Sequence, residues 1–252
     1  MIRSTLPALI VMSAGGMALA EAPEFSHITL EFMANDLRND VFDAEDEVFW
    51  RVNGGVRFGP VLAEVDFSRE TVYDRDGDGS EDADTFGFGL GFQLPQARSS
   101  APDIVLYGEY GTAYIRTGGT DVDRYAIGFD VQGAWYAYGG HWERVDLTED
   151  GAPDDDDNIG VWARFDTPVF GLTTEVAYNR FDNDFLPVLD VAFLEVAYVV
   201  PTTQLQVFGE VQRLEEDGFV DTTLAVGLRY SFGSGTQRAT TKYGWKRFAF
   251  NL

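Results

Sequence analysis

Thr223-Leu224-Ala225-Val226-Gly227-Leu228-Arg229-Tyr230-Ser231-Phe232 is the stretch whose reading decides the fold. Leu224, Val226, Leu228, Tyr230 and Phe232 occupy alternate positions, with Ala225, Gly227, Arg229 and Ser231 between them. Successive side chains of a strand point to opposite faces, so one face here is apolar and the other small or charged. A soluble sheet turns such an apolar face into a core. The same alternation recurs along most of this chain, with aromatics at the strand ends. That pattern describes a closed barrel whose outside meets lipid and whose inside is polar. A closed barrel across a bilayer is first of all a candidate pore. On this reading Gly227 faces the interior, where even an arginine would not offend lipid.

Working outward from that strand, the others follow the same rule. Ile28, Leu30 and Phe32 alternate with Thr29 and Glu31, and Trp50, Val52, Val56 and Phe58 with Arg51, Asn53, Gly55 and Arg57. Val61, Ala63, Val65 and Phe67 alternate with Glu64, Asp66 and Ser68, and Phe86, Phe88, Leu90 and Phe92 with Gly87, Gly89, Gly91 and Gln93. Further strands are expected at 104–116, 121–131, 134–146, 158–166, 171–181, 187–200, 203–214 and 221–232. The fold class is therefore all-β, a transmembrane antiparallel up-and-down β-barrel of about twelve strands, with ten or fourteen as alternatives.

The connections carry an independent signal. Gly59-Pro60, Gln132-Gly133, Thr167–Gly171 and Pro201-Thr202 are short, and Pro95–Asp103 is somewhat longer. The alternate set is expected to be longer: Asp36–Glu47, Asp74–Asp84, Thr117–Asp123, Glu149–Asn158, Asp182–Leu186 and Glu215–Val220. This second set, with its flanks, holds roughly two-thirds of the Asp and Glu. A soluble sandwich has no reason to segregate charge in this way. A barrel has one, because its alternate connections lie on opposite sides of a membrane.

Residues 1–20 read as a signal peptide: Arg3, an apolar run from Leu6 to Ala18, then Ala18-Leu19-Ala20 as the cleavage site. The run is too short to span a bilayer as a helix. Three segments follow, with 1–20 as the leader, 21–232 as the barrel and 233–252 as a basic, aromatic tail. Net charge is −24, and loss of the leader removes Arg3 and no acid, leaving −25. Such acidity disfavours nucleic acid as a partner. The chain has no cysteine, and a barrel closed by backbone hydrogen bonds needs no disulfide. It has 27 glycines, with 20 Phe, 11 Tyr and 5 Trp, which suit a crowded interior and interfacial girdles.

Taken together, the leader, the strand rhythm and Gly227-Leu228-Arg229-Tyr230-Ser231-Phe232 resemble the porin-like outer-membrane barrels of Gram-negative bacteria, particularly small alphaproteobacterial ones. The last segment looks like the terminal strand read by the barrel-assembly machinery, although here about twenty residues follow it. The resemblance implies an outer-membrane location. It also implies lipid and lipopolysaccharide as surroundings, small solutes or ions as cargo, and a homo-oligomer as one assembly state. The tail could supply a further strand, or fold beneath or into the barrel.

Arg51, Arg57, Glu64, Asp66, Glu109, Asp130, Glu143, Arg164, Glu175, Glu195, Glu210 and Arg229 are the candidate pore-lining residues, with Arg51, Arg57 and Arg229 expected on one wall. Arginines facing carboxylates across a pore resemble a porin constriction; paired and packed, the same groups would fill a sealed barrel. Twelve strands about 4.8 Å apart and tilted about 40° give a backbone radius of roughly 12 Å, enough for ions after side chains take about half. Carboxylates outnumber arginines, so cations are the expected cargo. Asp74, Asp76 and Asp78 have the oxygen spacing of a calcium loop, with Thr85 where the closing glutamate would stand. No other cofactor is expected. Asp154–Asp157 is weaker still as a metal motif, because adjacent carboxylates repel. A barrel hydrolase is a third reading: only His27 and His141 are available, and His141 would face inward, away from lipid. The runner-up to a channel is a non-conducting structural or partner-binding barrel.

Overall fold

In the computed structural model the described residues are 23–36, 44–74, 80–96, 101–115, 120–149, 152–167, 171–183, 188–216 and 219–233. They form twelve strands: β1 (Glu24–Asp36), β2 (Ala44–Phe58), β3 (Val61–Asp74), β4 (Ser80–Gln93), β5 (Asp103–Ile115), β6 (Thr120–Gln132), β7 (Tyr136–Glu149), β8 (Ala152–Thr167), β9 (Leu172–Asn183), β10 (Leu189–Val199), β11 (Leu205–Glu216) and β12 (Phe219–Gly233). Each strand pairs antiparallel with its neighbours in sequence, and β12 closes on β1, His27 opposite Gly233 and Asp36 opposite Leu224. Closure leaves no unpaired edge, so every wall strand satisfies its backbone internally, as a bilayer demands. The ring closes without residues beyond Gly233. Residues 1–22, which include the proposed leader 1–20, and 234–252, the proposed tail 233–252 without Gly233, lie outside the described residues.

Register carries the alternation into space. Val226 is 67% exposed, Ile159 63% and Leu224 60%, while their sequence neighbours Ala225 and Gly227 are buried. A belt of large apolar side chains at such exposure is far beyond what water tolerates as a contiguous patch. Lipid is the solvent this surface fits. Trp135, Tyr136 and Tyr138 pack against one another at the β6–β7 turn, and Tyr230 meets Phe232 edge-on at the same end of the barrel, in the manner of an interfacial girdle.

The acidic end departs from expectation in one respect. Its connections are not longer than those opposite, because the strands run further: β7 reaches Glu149, β8 starts at Ala152 and β4 at Ser80. Asp154–Asp157 are therefore strand residues, paired with Leu147–Arg144 rather than looped. Strands of 13 to 16 residues exceed the 9–11 or so that a tilted crossing uses. The excess is marked by outward-facing ion pairs, Arg69–Asp84 at 2.6 Å, Arg144–Asp146 at 3.2 Å and Arg213–Glu215 at 3.4 Å. Charged side chains on the outer wall belong above the hydrocarbon, where their desolvation cost vanishes. The opposite end is turned tightly, as at Gly59-Pro60, where Gly59 takes φ 55°.

Candidate functional site: the barrel interior

The strand period aims alternate side chains inward, and twelve strands converge their inner faces on one axis. Among the expected lining residues, Arg51, Glu64, Asp66, Glu109, Glu143, Glu175, Glu195 and Glu210 are buried, and Arg57, Asp130, Arg164 and Arg229 are partly buried. Arg51 donates from Nε to Asp66 Oδ2 at 2.5 Å. Arg229 donates to Glu31 Oε2 at 2.7 Å and makes a forked contact with both oxygens of Glu195, at 3.0 and 2.9 Å, while lying over the Phe208 ring. Towards the turn end Arg57 hydrogen-bonds Gln93.

Arg124 is the centrepiece that sequence reasoning passed over. Its Nε donates to Glu143 Oε2 at 2.7 Å, and its Nη1 reaches Glu109 Oε2 at 3.5 Å. The signal was available: Arg124 shares the parity of Asp130 on one strand. Glu31 was likewise legible by parity as an inward acid. Neither position reveals its partner in sequence, because the pairing depends on which strands stand side by side.

The arginines are also spread more widely than one wall. Arg51 and Arg229 flank β1, but Arg124 sits on β6 and Arg164 on β8. Carboxylates concentrate elsewhere: Glu175, Glu195 and Glu210 stand directly opposite one another on β9, β10 and β11. Like charges so placed oppose each other, and Arg229 is the guanidinium that answers Glu195.

Half the radius was expected to remain wet. Instead the middle of the interior is closely packed. Arg51 and Arg124 are 1% exposed and Glu143 is 0%. Apolar side chains share that space: Met33, Phe49, Ala197, Phe208 and Ala225 form one inward cluster, and Ala177, Val191 and Phe193 another. Gly227 faces inward as expected, but the same packing leaves it little room. A Cβ there would stand 2.6 Å from the Phe32 carbonyl oxygen and run into the Phe208 ring, so an inward position is not a spacious one. A small cavity of about 10 Å³ lies between Asn53, Glu64, Asp66, Gly87, Gly89, Glu109 and Arg124.

Both histidines face the interior. His141 contacts Asn158 at 3.5 Å. At β1 a bulge brings Ser26 and His27 to the same side, with Ser26 Oγ 3.2 Å from His27 Nδ1 and His27 Nε2 3.7 Å from Glu64 Oε1. The order of hydroxyl, imidazole and acid has the outline of a catalytic relay. However, His27 is 0% exposed and its Nε2 is also 2.6 Å from Asn53 Oδ1, so the group is packed away from any substrate. Of the proposed calcium ligands, Asp74 ends β3 and Asp76 and Asp78 lie outside the described residues.

No protein-family model matches the chain, and no curated protein matches its sequence. Its structure is similar to that of an outer-membrane channel from Pseudomonas putida F1, at 11% identity, covering 86% of this chain and 98% of that one with a TM-score of 0.61. It is similar to the NanC porin at 7% identity, covering 80% and 98% with a TM-score of 0.58. The KdgM porin, solved in complex with disordered oligogalacturonate, is similar at 9% identity, covering 82% and 99% with a TM-score of 0.53. The likeness is one of fold: this chain shares the closed antiparallel β-barrel architecture of these outer-membrane porins and channels.

Proposed function

We propose that the protein is an outer-membrane channel of narrow bore that passes ions and small hydrophilic solutes and prefers cations. One observation carries the preference: acids outnumber arginines on the inward face, with Glu175, Glu195 and Glu210 in one row and Glu64, Asp66 and Glu109 close together. In a low-dielectric channel such a surplus raises the local cation concentration and repels anions. The KdgM porin was solved with an oligogalacturonate, a polyanion. The interior described above fits the opposite sign of cargo.

The surroundings follow from the two ends. The apolar belt sits in lipid, and the outward ion pairs meet the headgroup layer, lipopolysaccharide on the cell-surface side. The alternating strand that ends in Phe232 pairs with β1 to close the ring, which suits a terminal signal for the barrel-assembly machinery. Cleavage after Ala20 and export precede assembly.

The close packing favours a second reading, a non-conducting barrel whose interior charges pair as a plug. Arg51, Arg124 and Glu143 being all but unexposed is the observation that supports it. Conductance of refolded protein in a planar bilayer decides between the two. The channel reading expects discrete openings and a reversal potential displaced towards cations in a salt gradient. Protein shown to be folded that gives no openings establishes the sealed barrel, and an anion-shifted potential refutes the cation preference.

A further inference from the structure

β8 turns Asn158, Gly160, Trp162, Arg164 and Asp166 inward, and their exposure climbs towards the turn end of the barrel. Asn158 is 0% exposed, Trp162 is partly buried, and the side chains of Arg164 and Asp166 are 14% and 39% exposed. Asn179 of β9 pairs with Gly160 in register and is 1% exposed. Its Oδ1 and the His141 ring both stand over the bare backbone of Gly160. The indole of Trp162 packs against the cluster of Ala177, Val191 and Phe193. Its Nε1 reaches over Gly139 on β7, 2.6 Å from where a Cβ would stand. One strip of the inner wall is thus polar, accessible at the turn end, and closed by two buried amides.

Three polar atoms along this strip have no hydrogen-bond partner among the described residues: Asn158 Oδ1, Asn179 Oδ1 and Trp162 Nε1. A buried polar group left in this way is costly, and folded proteins keep such groups where something else completes them. Two of the three accept and one donates. A cation is opposed by the indole N–H. An anion is opposed by the amide oxygens and by the nearby acids, Asp130 with its Oδ1 also over Gly139 and Glu175 opposite Arg164. Arg164 does not offset them, because Asp166 engages it at 3.4 Å. A hydroxyl group both donates and accepts, and carries no charge. Asn158 and Trp162 are four positions apart, about 13 Å along an extended strand, roughly the reach of a six-carbon polyol with a hydrogen bond at each end. We propose that the inner face of β8, with Asn179, is a binding strip for a linear neutral polyol. Trp162 Nε1 donates to one hydroxyl, and the side-chain oxygens of Asn158 and Asn179 accept from others. The strip names a substrate class for the channel proposed above and rests on that reading for its part in uptake.

The probe is sorbitol, added to the refolded full chain in detergent micelles with its tryptophan indoles isotope-labelled for NMR. The Trp162 resonance is the one lost in Trp162→Phe. In wild type it is expected to move in a saturable way as sorbitol is added, while the other indole resonances stay in place. Asn179→Leu keeps the side-chain size and removes a buried acceptor without a partner, so the fold should be at least as stable. The same variant should weaken the apparent affinity for sorbitol about tenfold, the loss of roughly one hydrogen bond. Gluconate, the same carbon chain ending in a carboxylate, should bind more weakly. An unmoved Trp162 resonance overturns the strip, and so does an equal movement of all the indoles, the mark of a co-solvent acting on the whole surface. Unchanged affinity or lost stability in Asn179→Leu gives that side chain a structural role and overturns it as well. Gluconate binding as tightly as sorbitol overturns the neutral ligand. The bilayer measurement separates the two readings. A sorbitol response in a barrel that never opens keeps the strip and refutes the channel, whereas openings without that response keep the channel and refute the strip.

Discussion

Arg124→Met asks whether the interior is dry. Arg124 is 1% exposed and holds Glu143, itself 0% exposed, at 2.7 Å, with Glu109 3.5 Å away. Methionine keeps much of the side-chain volume and removes the charge. In a packed, water-poor interior the substitution strands two carboxylates, and breaking a buried ion pair from one side costs about 3–5 kcal/mol. In a water-filled lumen the same pair would be screened and worth about 0–1 kcal/mol. The two regimes differ by a factor of at least 10 in the folding equilibrium, since 1.4 kcal/mol is about tenfold. Unfolding by urea from lipid vesicles, followed by tryptophan fluorescence, reads the difference as a shift in midpoint at unchanged slope. Adding Glu143→Gln should recover part of the loss by removing one stranded charge. A loss below about 1 kcal/mol, with no recovery in the double variant, would refute the packed interior and return the arginines to a wet wall.

Four further outcomes follow from the same geometry. Val226→Arg, on the most exposed part of the lipid face, should cost about 2–4 kcal/mol near the midplane and reduce assembly, measured as the folded band that resists unfolding on an unheated gel. Gly227→Ala, one residue on and facing inward, should cost about 1–3 kcal/mol because its methyl meets Phe208 and the Phe32 carbonyl; Phe208→Leu in the same chain should recover part of it. Tags inserted at Asp78 and at Gly151 should be reached by antibody on intact cells and one at Gly133 should not; the reverse result would invert the barrel. If the channel conducts, Arg57→Gln should move the reversal potential further towards cations, and the preference should fall as salt rises and the Debye length shortens.

The strand set was legible because lipid imposes a strict rule on it. Every second residue of Phe86–Phe92 and Leu224–Phe232 must be apolar, so the period appears in the sequence without knowledge of any partner. Strand number and antiparallel order followed from that period. Strand length did not, because above the membrane the outer face is free of the rule. Asp154–Asp157 reads as loop by composition yet pairs with β7 through backbone groups that composition does not report.

The interior was legible as a list of residues and not as a space. Which acid meets Arg124, Arg229 or Arg51 depends on register between strands up to 198 residues apart, as for Glu31 and Arg229. Whether the middle is wet depends on how Phe49, Phe193, Phe208 and the arginine stems fill a closed ring, a sum over twelve strands that no single strand contains. The inward-facing glycines of β4 make the same point. Gly87-x-Gly89-x-Gly91 was plain in the sequence, and only closure of the sheet put Asp66 and Glu64 on one side of it and Glu109 on the other. Sequence alone determined the two faces of the wall, because each strand meets its solvent independently. The tertiary structure decided what the inner faces do to one another, because charge pairing and packing exist only between strands.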